Sequence, residues 1–242
     1  MVQVLPVILF GAQFLSTVAS HSIAGMLPRE GQYPYPIVGS DDPANSATLG
    51  TFLNHMSINT RNLTASIEFY TELLGFRKLF TLQITKTYSI TYLAHAQGGK
   101  NGTGYQTALE MNREKNNAQG LLEISYVDVP VKNIESGRQH PNTFGHIGIV
   151  VPDIHAFQER LGTMPHISVL KRSGEPFVEL DPNLVVGPAV GLLPDIVEQL
   201  DEDERKAIVR NFGQSVESLI FVADPDGNFI EVQPQEGASL VG

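Results

Sequence analysis

Apolar and polar positions alternate in two related blocks of this chain, and the relation between the blocks organises the rest of it. Residues 55–60 read HMSINT and residues 146–151 read HIGIVV. Both alternate apolar with small or polar side chains, the period of a half-buried strand. Seven residues after each His stands a helix-starting residue, Asn62 or Asp153, followed by Leu63 or Ile154. Each helical stretch ends at Leu-Gly, Leu74-Gly75 and Leu161-Gly162, where the glycine suits a left-handed C-terminal cap. The first helix is expected to be longer by four residues, about one turn. Strand-like segments follow: 77–85, 88–97 and 120–128 in the first half; 167–173, 218–223 and 229–234 in the second. The last two flank DPDG (224–227), a turn signal containing Asp-Gly. Each half therefore reads β-α-β-β-β. The predicted fold class is α+β, with two paired βαβββ modules over 51–129 and 144–236.

Two insertions interrupt this plan. Residues 98–117 are polar with a short helical patch. Residues 174–215 carry Pro-rich and apolar stretches and then LPDIVEQLDEDERKAIVRNFG, which predicts one or two amphipathic helices. Ile196, Val197, Leu200, Ile208, Val209 and Phe212 form the apolar side, and Asp201 with Glu204 suits an N-terminal cap. The acidic run 201–204 reads as a solvated face. The insertion is either a lid or surface decoration.

Strand parity singles out four residues. His55, Ser57 and Asn59 share one face of their strand; Met56 and Ile58 take the other. His146, Gly148 and Val150 repeat the first set, and Ile147, Ile149 and Val151 the second. In GLLEISY, Glu123 lies opposite Leu122, Ile124 and Tyr126; in NFIEVQ, Glu231 lies opposite Ile230 and Val232. With the apolar faces packed under the helices, the His faces line an open concave surface. A carboxylate on a buried strand face is costly without a charge partner. Two carboxylates and two imidazoles at equivalent places point to a divalent cation as that partner. The other histidines, His21, His95, His140, His155 and His166, read as ordinary structural or surface residues. Glu110, in the polar insertion, is a lower-ranked alternative ligand.

Composition narrows the chemistry. The 242 residues suffice for one domain of two fused modules, and 42% are apolar, enough for a real core. The net charge of −10, without a basic cluster, argues against a nucleic-acid partner, since phosphate contacts need grouped Lys and Arg. The chain has no cysteine, so a disulfide, a thiolate ligand and a cysteine nucleophile are all excluded.

The N-terminal region allows two readings. Residues 4–15 (VLPVILFGAQFL) and the following STVAS resemble a secretory signal within 1–20, with cleavage near Ala19 or Ser20. Against this, no Lys or Arg precedes the run, and a helix docked on a core would look similar. The first reading makes the protein secreted, the second cytoplasmic. The run is too short for a membrane span, so no membrane is expected in the mature form. Residues 27–50, rich in Pro, Gly, Ser and Asp, mark 21–50 as an extended arm. The triplets Asn62-Leu63-Thr64 and Asn101-Gly102-Thr103 fit the glycosylation pattern, which also arises by chance.

The segments HMSINT…SIEFYTELLGF, YSITYLAHAQ, GLLEISY, FGHIGIVVPDI and FVADPDGNFIEVQ resemble glyoxalase I (lactoylglutathione lyase) of the vicinal oxygen chelate superfamily. The resemblance covers about 52–173 and 216–234. It implies a paired βαβββ fold, often dimeric, with one divalent metal, zinc or nickel, held by His55, Glu123, His146 and Glu231. It also implies a chemistry. The metal acts as a Lewis acid on two adjacent substrate oxygens. Glu231 moves a proton between neighbouring carbons as general base, and Glu123 is the partner that returns it. The default substrate is the methylglyoxal–glutathione hemithioacetal, with glutathione as co-substrate. The positions where the family holds glutathione differ here. Asn59 and Asn142 stand where arginines are usual, and Val127 where an Asn is usual. Charge-assisted Arg–carboxylate contacts are the strong ones in such a site. A diverged enzyme acting on another small oxygenated molecule is therefore the nearest alternative. An extradiol-type dioxygenase, with Fe(II) on two His and one Glu, and a metal-free small-molecule-binding protein are the rivals from other classes.

Overall fold

A computed structural model of the protein describes residues 33, 37, 39–99, 102–130, 132–140 and 142–235. The apolar run 4–15, the candidate cleavage site, most of the arm 21–50 and Asn101 lie outside the described residues. Everything below concerns residues 36–242 as far as they are described. Among the described residues no helix is long and apolar enough to cross a membrane.

The first module opens with β1 (His55–Thr60) and α1 (Leu63–Glu68), which runs on into a π-helical turn over Phe69–Leu73. Then come β2 (Arg77–Gln83), β3 (Tyr88–Ala94), α2 (Ala108–Glu114) and β4 (Leu121–Val127). The second module repeats the plan with β5 (Ile147–Val151), α3 (Ile154–Gly162) and β6 (Ser168–Lys171). The long insertion supplies α4 (Pro194–Gln199) and α5 (Glu202–Glu217) before β7 (Ile220–Ala223) and β8 (Phe229–Pro234). Each module forms its own mixed four-stranded sheet, in the orders β1-β4-β3-β2 and β5-β8-β7-β6. The first and last strands of each module pair in parallel at the sheet edge, and the other pairings are antiparallel.

Local chemistry sets the helix ends. Asn62 Oδ1 accepts from the Ala65 N–H, and Asp153 Oδ1 from the His155 and Ala156 N–H groups. Each cap satisfies donors that a helix start leaves unpaired. The two glycines then part company. Gly75 adopts φ 73°, the left-handed cap its position predicted. Gly162 is instead the last helical residue, and α3 ends on Thr163 at φ −89°. Its carbonyls are met by a tighter turn, with the Thr163 N–H on Arg160 O. The π-helical turn extends the first helix to Leu73 and places Phe69, Tyr70 and Leu73 in the core. The helical run 63–73 therefore exceeds 154–162 by about half a turn rather than a full one.

One core serves both modules. Ile58, Leu93, Leu122 and Ile124 of the first sheet pack with Ile147, Ile220, Val222, Ile230 and Val232 of the second, together with the apolar sides of α1 and α3. Each fully buried aliphatic side chain contributes about 1.5–3 kcal/mol. A polar bracket closes the same seam. Asp226, in the DPDG turn of the second module, accepts from Thr60 Oγ1 (2.5 Å), the Arg61 N–H (3.0 Å) and Arg61 Nε (2.9 Å) of the first. Tyr70 donates to Asp224 Oδ2 at 2.9 Å. Burial, reinforced by Asp224, holds the Tyr70 hydroxyl well above the ordinary tyrosine range. Burial also raises the Asp224 carboxyl, opposed by its hydrogen bonds from Asn228 and Tyr70.

The insertion is neither a free lid nor loose decoration. It builds a second core, in which Phe177, Leu180, Val186, Ala189, Val197 and Val216 pack with Phe221 and Phe229. Phe229 shares the Glu231 face of β8, and Phe221 stands in register with Glu231. The insertion thus covers part of the face on which Glu231 sits. Asp201 caps α5, accepting from the Glu204 N–H at 2.8 Å.

Candidate metal centre

The parity argument holds on both first strands. His55, Ser57 and Asn59 are exposed while Ile58 and Thr60 are buried. Gly148 and Val150 are exposed while Ile147 is buried. The register makes the halves equivalent. Ser57 stands opposite Glu123, and Gly148 opposite Glu231, each two residues past its His. In both modules the imidazole therefore meets the carboxylate of the neighbouring strand. His55 Nε2 lies 3.9 Å from Glu123 Oε2, and His146 Nε2 lies 3.5 Å from Glu231 Oε2. The side chains remain open to solvent, His55 at 39%, Glu123 at 19%, His146 at 31% and Glu231 at 14%.

Within one chain these residues form two pairs, on two sheets. Because the apolar faces of both modules meet in the common core, the His faces look away from it. Among the described residues no group of three or more His, Asp or Glu side chains converges on a point that could hold a metal ion.

Each pair is nonetheless prepared for a cation. His146 Nδ1 lies 2.8 Å from Ala189 O, an acceptor, so Nδ1 carries the proton. His55 Nδ1 lies 2.9 Å from Asn54 Oδ1. That amide is oriented by its own NH2, which donates to Lys115 O and Ala118 O, so here too Nδ1 is the donor. In the neutral imidazole Nε2 is then a bare lone pair, facing a carboxylate oxygen. A proton on Nε2 or a metal ion between the two groups satisfies both, and a His that donates its other N–H to a carbonyl is the usual arrangement at a metal. The spacing agrees. Two donors about 2.0–2.2 Å from one tetrahedral zinc stand about 3.4 Å apart.

The insertion takes part through Ala189, whose carbonyl orients His146. Gly145 permits this approach, since a Cβ there would stand 2.9 Å from Ala189 O. Two further side chains cluster on Glu123, Ser57 from the His55 face and Tyr92, which the parity argument did not include. Ser57 donates to its Oε1 at 2.9 Å, and the Tyr92 hydroxyl donates to its Oε2. Burial, then the bond to Glu123, pushes the Tyr92 hydroxyl up to about 12. The Tyr92 ring also meets His55 edge-on at 5.6 Å and stacks on Phe80 at 5.2 Å. The alternation of Tyr88, Ile90 and Tyr92 was the available signal, but it points at Glu123 only once the register of β3 is known.

The remaining candidates fall away. Glu110 accepts from the Thr107 N–H and hydroxyl, both at 2.7 Å, and caps α2. His95 Nε2 engages Leu74 O at 2.8 Å, and His140 pairs with Glu135. A cleft of about 690 Å³ lined by Glu72, Leu74, His95, Val150 and Arg160 contains none of the four paired residues. A second hollow, of about 430 Å³, lies on the His55 face and is lined by Asn59, Tyr88, Ser125, Val127 and Lys132.

Comparison with known proteins supports this reading of the fold. Residues 52–165 match the family described as the Glyoxalase/Bleomycin resistance protein/Dioxygenase superfamily. That span contains His55, Glu123 and His146; Glu231 lies beyond it, past the insertion. The chain is similar to a lactoylglutathione lyase of Pseudomonas aeruginosa, 29% identical over 115 residues. The match spans 46% of this chain and 64% of that relative, under two thirds of its length. A lactoylglutathione lyase of Pseudomonas putida is 25% identical over 155 residues, 57% of this chain and 88% of that one. Among solved structures, the trypanothione-dependent glyoxalase I of Leishmania major overlaps 76% of this chain and 87% of its own, at TM-score 0.42 and 20% identity. An antibiotic-binding protein from Streptomyces sp. CB03234 overlaps 77% and 97%, at TM-score 0.38 and 13% identity.

Proposed function

Because residues 52–165 match the model of the glyoxalase/bleomycin resistance protein/dioxygenase superfamily, we propose that this protein is a metal-dependent lyase or isomerase of the glyoxalase I kind. Each complete centre joins the His55–Glu123 pair of one copy to the His146–Glu231 pair of a second copy. The carrying observation is that both pairs set an imidazole Nε2 against a carboxylate oxygen, with each Nδ1 already committed as donor. The donor set, two imidazoles and two carboxylates, suits zinc or nickel.

When bound, the divalent ion supplies Lewis-acid stabilisation of negative charge on a substrate oxygen. The chain's residues do the rest. Asn54 and Ala189 O fix the two imidazoles in their ligating tautomer. Glu231 takes the proton from the substrate carbon as general base; among the described residues its side-chain partner is His146 alone. Phe221 and Phe229, with the insertion packed on them, form an apolar wall beside it.

The default substrate is the methylglyoxal–glutathione hemithioacetal. A specific observation favours a substrate without the two glutathione carboxylates. Arg61 is committed to Asp226, the Arg138 guanidinium lies over the Phe229 ring, and Asn142 is held within its own loop. Lys132 lines the hollow beside Asn59, and its ammonium donates to Arg61 O.

Zinc stoichiometry after mixing two double variants tests the shared centre. One copy lacks the first pair (His55→Ala, Glu123→Ala) and the other lacks the second (His146→Ala, Glu231→Ala). Random pairing makes half of the dimers mixed, each with one intact centre, so about a quarter of the original zinc per chain returns. No recovery on mixing would mean that all four ligands act within one chain. An unsubstituted protein that takes up neither zinc nor nickel would end the metal reading. Zinc uptake without turnover of the hemithioacetal would assign a different substrate.

A further inference from the structure

The two carboxylates of the centre are not equivalent, and the difference lies in their neighbours. In register, Ser57 and Gly148 occupy the same place beside Glu123 and Glu231. Tyr92 and Phe221 occupy the same place on the other side. The first module therefore sets a hydroxyl on each oxygen of its carboxylate, Ser57 on Oε1 and Tyr92 on Oε2. The second module has a hydrogen and a phenyl ring at those places.

We propose that Ser57 and Tyr92 are positioning residues that hold Glu123 as the fixed carboxylate of the centre, while Glu231 is left free to move. This rests on the metal-centre reading above. A carboxylate that accepts from two hydroxyls is held in one orientation. Glu123 thus keeps its place as a ligand, while Glu231, with no hydroxyl on either oxygen among the described residues, keeps its freedom to move. Tyr92 acts on the whole pair, because its ring edge also braces His55. Phe80 stacks on that ring, and the Lys115 ammonium lies 5.1 Å from its centre, so the hydroxyl is aimed by packing.

Zinc binding to the full-length protein, measured by chelator competition, tests the roles of both residues. Tyr92→Phe keeps the ring on His55 and removes only the hydroxyl; Ser57→Ala removes the other donor from an exposed strand position. Loss of such an orienting partner typically weakens metal affinity about 10–100-fold. We expect at least a tenfold rise in the zinc Kd for Tyr92→Phe, a smaller rise for Ser57→Ala, and recovery in Ser57→Thr, which restores a hydroxyl. The cobalt(II)-substituted protein should show a shifted visible spectrum in Tyr92→Phe. A purely structural role would instead lower the melting temperature of the metal-free variants and leave these signatures unmoved. If the unsubstituted protein binds zinc and both variants bind it equally well, the positioning role is wrong and the metal reading stands. If the unsubstituted protein binds no zinc, the metal reading fails and takes the positioning role with it.

Discussion

Gly145→Ala is a sharp test of whether the long insertion serves the metal site. The added methyl would stand 2.9 Å from Ala189 O, closer than side-chain carbons approach a backbone oxygen, and 3.8 Å from the carbonyl carbon. Both neighbours are backbone, so relief requires the turn Gly187–Val190 to retreat. Ala189 O is also the atom that orients His146, at 2.8 Å from Nδ1. A retreat of a few tenths of an ångström stretches that bond past its best length and frees the imidazole to turn. Losing an orienting partner costs about 10–100-fold in metal affinity, which is about 1.4–2.8 kcal/mol. The local overpacking should cost about 1–3 kcal/mol of stability as well. Zinc affinity by chelator competition and urea unfolding of the metal-free protein separate the two effects. An unsubstituted zinc affinity in a folded Gly145→Ala protein would refute the link between insertion and ligand.

Three further outcomes follow from the same geometry. Asp226→Ala removes the acceptor of four hydrogen bonds across the module seam. Urea unfolding should show a loss of about 2–3 kcal/mol, discounted because Arg61 is partly exposed; a loss below about half a kcal/mol would demote the bracket. Gly148→Ser places a hydroxyl beside Glu231 as Ser57 stands beside Glu123, and an added Cβ there meets nothing within 4 Å. Turnover should fall about tenfold or more while zinc affinity holds or tightens, since a hydrogen bond to a charged group is worth about 1.5–3 kcal/mol and would restrain Glu231 as Ser57 restrains Glu123; equal turnover would mean that Glu231 is not the base. Lys171 gives a pH signature. Its ammonium donates to Arg172 O, Glu217 O and Leu219 O, and burial lowers its pKa below the ordinary 10.5. The unfolded chain thus binds more protons between the lowered value and 10.5, so stability should rise with pH across that window. Chemical denaturation from neutral to alkaline pH should show this rise, and Lys171→Met should flatten it.

Much of the fold was legible in strand parity, helix caps and the Asp-Gly turn, because each is a short-range property of the chain. The equivalence of His55 with His146 and of Glu123 with Glu231 was legible in the repeat, and the parallel register of β1 with β4 and β5 with β8 sets each His beside the Glu of its own module. Three features were beyond that reach. The separation of the two pairs depends on both modules sharing one core, which periodicity along a strand does not encode. Ala189 acts through a backbone carbonyl, which leaves no mark in residue type. Tyr92 meets Glu123 only through the register of β3 with β4. Gly162 shows the converse error, in which a Leu-Gly pair resembled a left-handed cap and the chain closed its helix by a tight turn.

The outward-facing pairs carry a consequence for how such a protein responds to its own abundance. If each centre draws on two copies, occupancy depends on protein concentration as well as on free metal, by mass action. Dilution would strip the ion without any chelator. Raising the metal level would draw dilute chains together, so the ion would act as an assembly ligand and as the reagent in one step.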